Sequence, residues 1–336
     1  MGFEKKFLAY LAGDEVKDVG NKFHFDYTRL KNGLNYCRNR RLNDGSIDPH
    51  DDAKMKDGLD QNIIPQQSCQ RCDWMFSELT TQASKMADIF SSRVRELVHL
   101  HFSPTMPRFL SCLFRCFNDD QEALVHKALI LIKFAVMNAI ALRKILKKYD
   151  KVHECGSGMN YKSKLQAKHL DIMQSPWFIE LVALYINVNG SDSLMSDELF
   201  GPLTFDLSMT DEESVLTLTL LSSEKYGCSF TCPICLDILF QPYALSCRHI
   251  FCKSCACLAA RVLIIDGFKY ASPESNCPVC RESGVYAKSV RMPEIGLLLQ
   301  RRCKQEFNER LIEERNKILK QTKEYWELQA SYVIGL

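Results

Sequence analysis

Between Cys232 and Cys280 the chain reads CPICLDILFQPYALSCRHIFCKSCACLAARVLIIDGFKYASPESNCPVC. Cys232, Cys235, Cys247, His249, Cys252, Cys255, Cys277 and Cys280 fall as C-x2-C, eleven residues, C-x-H-x2-C-x2-C, twenty-one residues, C-x2-C. A C-x2-C turn presents two sulfurs together, and zinc takes four sulfur or nitrogen ligands in a tetrahedron. Four such half-sites in this order therefore predict two zinc ions. So short a segment buries little apolar surface, and the metals would stand in for the missing core.

The 336 residues are enough for more than one domain, and 46% hydrophobic with 25% charged residues suits a globular chain. A net charge of +2 offers no general attraction to nucleic acid or membrane, so any electrostatic function is local. The chain holds sixteen cysteines, but its first ten residues lack the apolar core of a secretory signal. Metal binding in a reducing, intracellular compartment is the expected use of the thiols. The longest apolar run, Ala128 to Leu142, has fifteen residues with Lys133 and Asn138 inside it. A spanning helix needs roughly 20, so a buried core helix and no transmembrane segment are expected.

From Met1 to about Val188 the pattern is helical, with breaks where Gly, Asn, Asp and Pro cluster. Helices are expected over Phe3–Leu11, Asp26–Arg40, Ser68–Leu100, Asn118–Lys151, Lys162–Met173 and Trp177–Val188. The fourth ends in LRKILKKYDK, where Lys144, Lys147, Lys148 and Lys151 share one face and Leu142, Ile145, Leu146 and Tyr149 the other. Two readings fit the lysines: a solvated face, or a site whose mutual repulsion a compact polyanion relieves. Within that turn only Asp150 could offset the charge.

LRKILKKYDK together with FDYTRLK, residues Phe25 to Lys31, resembles an SPX domain, a helical bundle that binds inositol polyphosphates and pyrophosphates. The resemblance covers residues 1–175, with helices extending to 188. It implies that Tyr27, Lys31 and Lys148 form the phosphate site and that Lys144, Lys147 and Lys151 flank it. SPX domains usually begin Met-Lys-Phe; this chain has Gly2 instead.

Residues 189–227 carry eight carboxylates against Lys225. They are expected to be an irregular acidic linker, either a passive spacer or a competitor with phosphate for the lysine face.

The order and spacing of residues 228–290 resemble a C3HC4 RING finger, the zinc module of many ubiquitin ligases. Its cross-brace would put Cys232, Cys235, Cys252 and Cys255 on one zinc and Cys247, His249, Cys277 and Cys280 on the other. The resemblance gives Ile234 and Pro278 the docking of a ubiquitin-conjugating enzyme and Arg281 a contact with both that enzyme and ubiquitin. The usual tryptophan of the groove is missing, leaving Leu258, Val262 or Leu263 to complete it. Such a ligase forms no covalent ubiquitin intermediate of its own.

Over residues 291–336 one long C-terminal helix is expected, with Ile295, Leu299, Cys303, Phe307, Leu311, Ile318 and Tyr325 recurring on a stripe. It either packs beside the zinc module or pairs with a second copy as a homodimer. The fold class expected is mainly α: an SPX helical bundle, a small α+β two-zinc RING and a C-terminal helix. SPX followed by RING resembles the plant nitrogen limitation adaptation (BAH1-like) ubiquitin ligase family. That resemblance implies phosphate and nitrate homeostasis through ubiquitination of membrane transporters, with the protein cytoplasmic or nuclear and recruited peripherally to the plasma membrane. The rival expectation is a non-catalytic, zinc-stabilised scaffold that senses inositol phosphate. Nucleic-acid binding is not expected, because no aromatic residues interleave the lysines.

Overall fold

The computed structural model describes residues 3–13, 24–44, 72–101, 118–168, 170–190, 193–197, 201–209, 214–220 and 224–334. Met1, Gly2 and the 45–71 segment lie outside them. The chain is mainly helical and divides into two compact units: Met1–Ser92 with Lys133–Ile172, and Arg93–Ile132 with Met173–Leu336.

In the first unit lie α1 (Phe3–Ala12), α2 (Tyr27–Asp44), most of α3 (Asp73–His101), the second half of α4 (Asn118–His153) and α5 (Ser157–Ala167). Asp26 starts α2, its carboxylate accepting the Arg29 N–H at 3.1 Å. Phe7, Leu30, Leu34, Leu79, Phe90, Ile145 and Tyr149 are buried in the core. Asn138, the polar residue inside the apolar run, is fully buried and satisfied. Its amide donates to the Phe134 carbonyl at 2.8 Å and accepts the Phe25 N–H at 3.1 Å, tying α4 to the entry of α2. Asp150 turns away from the lysines to cap α5, accepting the Gly158 N–H at 2.6 Å and the Met159 N–H at 3.1 Å. A Cβ on Gly158 would lie 2.6 Å from the Leu146 carbonyl, so the closeness of this turn to α4 requires glycine there.

The second unit holds the rest of α3 and α4, then α6 (Pro176–Asn189), four strands, the zinc module and two terminal helices. Ser175 caps α6 and Gly190 ends it at φ 69°. Residues 189–227 are not irregular, as expected, but carry a four-stranded antiparallel meander. Its strands are β1 (Ser193–Asp197), β2 (Gly201–Met209), β3 (Ser214–Leu220) and β4 (Glu224–Ser229). The acidic count hid a period-two pattern in LTFDLSM and SVLTLTL. The register pairs Phe205 with Leu218, Leu207 with Leu216, and Leu218 with Tyr226, so apolar positions coincide across strands.

A second sheet, in the order β6-β5-β7, belongs to the zinc module: β5 (Pro242–Ala244), β6 (Ile250–Cys252) and β7 (Val290–Arg291). The helix α7 (Lys253–Ala259) follows β6 directly. The tail is two helices, α8 (Pro293–Arg302) and α9 (Lys304–Ile334), rather than one, because buried Cys303 leaves the helical region at φ −117°, ψ 56°. A four-residue apolar period continues through such a break, so the stripe alone could not reveal it.

The helix α6 is buried along nearly its whole length and packs with α8. Glu180 is fully buried, and its two carboxylate oxygens accept the Glu294 and Ile295 N–H groups at 2.8 and 3.0 Å. Pro293 has no N–H, so these are the first donors that α8 must satisfy. Asn187 donates to the Glu294 carbonyl and carboxylate at 2.9 and 2.7 Å, and Arg301 donates to the Asn187 carbonyl at 2.8 Å. Burial, and then the Glu294 charge, push the Glu180 carboxyl up to about 8.

Candidate functional site

The eight expected zinc ligands gather into two groups. Cys232, Cys235, Cys252 and Cys255 form one, and Cys247, His249, Cys277 and Cys280 the other; in each, the ligand atoms lie within 4.8 Å of one another. The Cys235 and Cys252 sulfurs are 3.9 Å apart, and Cys277 Sγ lies 3.7 Å from His249 Nδ1. Both lie close to the edges of a tetrahedron with Zn–S near 2.3 Å and Zn–N near 2.0–2.1 Å, ~3.8 Å between sulfurs and ~3.6 Å between sulfur and nitrogen. Contact with Cys232 and Cys235 pushes the Cys252 and Cys255 thiols up, and burial does the same to Cys247. A cation is what allows so many thiolates to share so small a space.

The ends of the module are two copies of one local structure. In CPICL, Cys232 takes up Leu236 N–H on its carbonyl at 2.8 Å and donates to the Asp237 carbonyl at 2.7 Å. In CPVCR, Cys277 takes up Arg281 N–H at 2.9 Å and donates to the Glu282 carbonyl at 2.9 Å. The residue after each second cysteine is left-handed, Leu236 at φ 60° and Arg281 at φ 63°. This conformation costs a non-glycine residue on the order of 1–3 kcal/mol and persists where the surroundings over-determine it. Here the sulfurs and the two backbone bonds do so.

These knuckles display apolar side chains at their tips. Ile234 and Val279 occupy the same place in the two copies and are 39% and 47% exposed, and Leu258 on α7 is 54% exposed. Pro278 and Arg281 are exposed too, whereas Val262 and Leu263 are half-buried. Of the three residues expected to complete the groove, Leu258 is the exposed one.

Arg310 of α9 was not foreseen. Its guanidinium is buried and donates toward Cys235 Sγ at 3.6 Å and Cys252 Sγ at 3.9 Å, while pairing with Asp237 (3.3 Å), Glu313 (2.7 Å) and Glu314 (3.1 Å). Burial opposes its charge, but the two sulfurs and Glu314 hold its pKa above the ordinary value. Hydrogen bonds from outside the ligand shell orient ligands and offset thiolate charge. The Phe240 and Phe307 rings meet at 4.9 Å, and the Gln321 side chain accepts the Ile264 N–H at 2.8 Å. Thus α9 packs beside the zinc module along its first part, one of the two arrangements expected. Arginine in so charged a helix reads as a solvated face, so no local signal marked it.

In the first unit, Lys144, Lys147 and Lys151 are exposed and Lys148 half-buried, while Leu142, Ile145, Leu146 and Tyr149 are buried behind them. Lys148 Nζ donates to Asn35 Oδ1 and lies 3.4 Å from the Lys31 carbonyl. Lys31 pairs with Glu4 of α1. Tyr27 is buried against the Phe3 and Phe7 rings at 5.3 and 5.9 Å, and Lys144 lies over Phe3 at 5.1 Å. Tyr27, Lys31 and Lys148 thus converge. Burial, followed by Lys31, holds the Lys148 pKa below its ordinary value, and Arg38 adds to that effect. Burial holds the Tyr27 phenol above its own. Glu4, Asn35 and Arg38 escaped sequence reasoning because α1 and α2 had to be packed before their side chains met.

Residues 232–268 match the RING-type zinc-finger family model. Over its full length the chain is similar to the probable E3 ubiquitin-protein ligase BAH1-like 1 of Oryza sativa subsp. indica, 44% identical over 343 residues and covering all of both chains. It is 41% identical to the probable E3 ubiquitin-protein ligase BAH1-like of Arabidopsis thaliana over 343 residues, again with full coverage. Its identity to the E3 ubiquitin-protein ligase NLA of Arabidopsis thaliana is 34% over 346 residues, all of both chains. No solved structure gives a significant match.

Proposed function

Because the chain belongs to the family of BAH1-like E3 ubiquitin-protein ligases, it is a RING-type ubiquitin ligase, and we propose how its two sites serve that activity. The Ile234, Leu258, Pro278 and Val279 surface docks the ubiquitin-loaded conjugating enzyme, and Arg281 bridges that enzyme and ubiquitin with its planar fork. The observation that carries this reading is the pair of matching knuckles, whose exposed tips are held by zinc ligands and paired backbone. Zinc supplies no reactive group here; when bound, it fixes the ligands and hence the knuckles.

The chemistry is orientation. The thioester sits on the conjugating enzyme, a substrate lysine attacks it, and the ligase restricts the mobile ubiquitin to a reactive pose. No nucleophile is needed from this chain. Cys257 and Cys303 beside the module are buried, with burial pushing both thiols up to about 11, which makes them poor nucleophiles.

The lysine surface is the input. Tyr27, Lys31 and Lys148, flanked by Lys144, Lys147 and Lys151, bind an inositol polyphosphate or pyrophosphate in an SPX-type helical domain. Glu4 limits the affinity by pairing with Lys31. Plasma-membrane phosphate and nitrate transporters are the proposed substrates, met from the cytoplasmic side by a protein of the cytoplasm and nucleus. Among the described residues no helix is long and apolar enough to cross a membrane. Exposed Tyr325, Trp326, Leu328 and Tyr332 near the end of α9 supply a surface for a homodimer.

Ubiquitin transfer by the full chain with a panel of conjugating enzymes, with and without inositol hexakisphosphate, tests the proposal. Transfer whose rate changes with the ligand supports both sites. Transfer that ignores the ligand removes the sensing role, and no transfer with any enzyme leaves a non-catalytic scaffold.

A further inference from the structure

Far from the two knuckles in sequence, a third set of ligand-type side chains meets inside the first unit. The sulfurs of Cys37 on α2 and Cys72, immediately before α3, and a ring nitrogen of His153, the last residue of α4, lie within 4.8 Å of one another. Cys72 is buried, and Cys37 and His153 are half-buried.

The histidine is oriented as a metal ligand. Its Nδ1 lies 3.0 Å from the Tyr149 carbonyl, which can only accept, so Nδ1 carries the proton and donates. That leaves Nε2 with a lone pair. Nε2 is buried and has no hydrogen-bond partner among the described residues. Metal-binding histidines characteristically donate the other ring N–H to a carbonyl or carboxylate, which fixes the tautomer and the ring. The ring is further held by stacking on Tyr149, centroids 4.2 Å apart and planes 29° from parallel.

The two sulfurs stand 3.1 Å apart. That is longer than a disulfide bond of about 2.05 Å. It is ~0.7 Å short of the edge expected for two thiolates on tetrahedral zinc. A small outward rotation of either side chain closes that gap. Two thiolates and a neutral imidazole are soft donors that favour zinc over calcium or magnesium.

The geometry points to a third zinc site, built from Cys37, Cys72 and His153, with its fourth position open to water or another donor. Cys69, which precedes Cys72 at C-x2-C spacing, lies outside the described residues and is not counted in it. Binding replaces two S–H protons with one Zn2+, so the three ligands together with the ion carry no net charge. The site joins the two helices that carry the lysines: Cys37 lies six residues after Lys31 within α2, and His153, five residues after Lys148, ends α4. The zinc would fix those helices against each other without adding charge to the lysine surface.

The test is the zinc content of the full chain, purified under reducing conditions without chelators and measured by plasma mass spectrometry. Three zinc ions per chain are expected: two in the knuckles and one here. Cys37→Ser and His153→Ala, separately, should each lower the count to two while ubiquitin transfer persists. Two zinc ions in the unaltered chain, supplied with excess zinc, overturn the proposal whether or not the variants fold. So does a count of three that neither variant lowers. A Cys37–Cys72 disulfide found by peptide mapping in place of the third zinc overturns it as well.

Discussion

In the zinc module the groups that matter lie within one short stretch, and ligand bonds to metal would supplement a small core of Phe230, Leu239, Phe251, Val285 and Tyr286. In the first unit the lysine surface draws on α1, α2 and α4, and a core of Leu30, Leu34, Phe90, Ile145 and Tyr149 holds it in place. The first region is rigid because of covalent spacing and ligand bonds. The second is rigid because apolar faces are buried, and its charged groups are passengers on that packing. Perturbations should therefore separate the two regions.

Metal removal should show the largest difference. Structural zinc supplies on the order of 10–16 kcal/mol of apparent folding energy in small zinc domains. Stripping the chain with a strong chelator should expose residues 228–290 to proteolysis and abolish transfer, while the helices of the first unit keep their circular dichroism. A zinc-free module that resists protease would break the contrast.

Next in size is Arg310→Ala, which leaves buried Glu314 with Lys317 alone and removes donors from two ligand sulfurs. A buried charge left wholly unpaired costs about 3–5 kcal/mol; Lys317 at 3.2 Å from Glu314 holds the loss below that, while loss of such supporting contacts weakens metal binding roughly 10–100-fold. Competition with a chromogenic chelator would read it. An unchanged zinc affinity would show that α9 merely lies against the module.

Glu180→Ala removes the acceptor of two buried N–H groups at the start of α8, at a cost of about 2–4 kcal/mol. The same residue sets a pH dependence. Its carboxyl moves from an ordinary value of 4.5 up to about 8 in the folded chain. Folding therefore holds its proton more tightly: the contribution is complete below 4.5 and lost as the pH rises through 8. Melting temperature should fall between pH 6 and 9, and Glu180→Gln should flatten that fall. An equal slope in both chains would refute the assignment.

How much of this was legible in the sequence follows the same division. The zinc groups were, because C-x2-C fixes a ligand pair whatever the rest of the chain does. The lysine face was, because residues three and four apart share a helix face. Glu180 looked like one carboxylate in an apolar helix, and its partners lie more than a hundred positions later. Cys37, Cys72 and His153 were equally silent, since only the packed helices bring them together. The β1–β4 meander is hidden for another reason: eight carboxylates across residues 189–227 give the stretch the composition of a linker, over the alternation of LTFDLSM and SVLTLTL.

The lysine surface should give smaller effects. Lys31→Ala with Lys148→Ala should remove inositol hexakisphosphate binding in calorimetry without lowering the melting temperature. Glu4→Gln should tighten binding about twofold to fivefold, the ~0.5–1 kcal/mol of a partly exposed ion pair. Binding should weaken with rising pH before the ordinary lysine value of 10.5 is reached, because burial and Lys31 lower the Lys148 pKa. Equal affinity in the double variant would leave the lysines as a solvated face.

The central claim is that the knuckle tips dock a charged conjugating enzyme. Discharge of ubiquitin from that enzyme, followed with the full chain and with Ile234→Ala, tests it most directly. Ile234 is exposed and is not a zinc ligand, so the variant should keep its zinc and its melting temperature. It should lose discharge by at least about tenfold, the ~1.4 kcal/mol or more of a central apolar contact. Undiminished discharge by that variant would contradict the account.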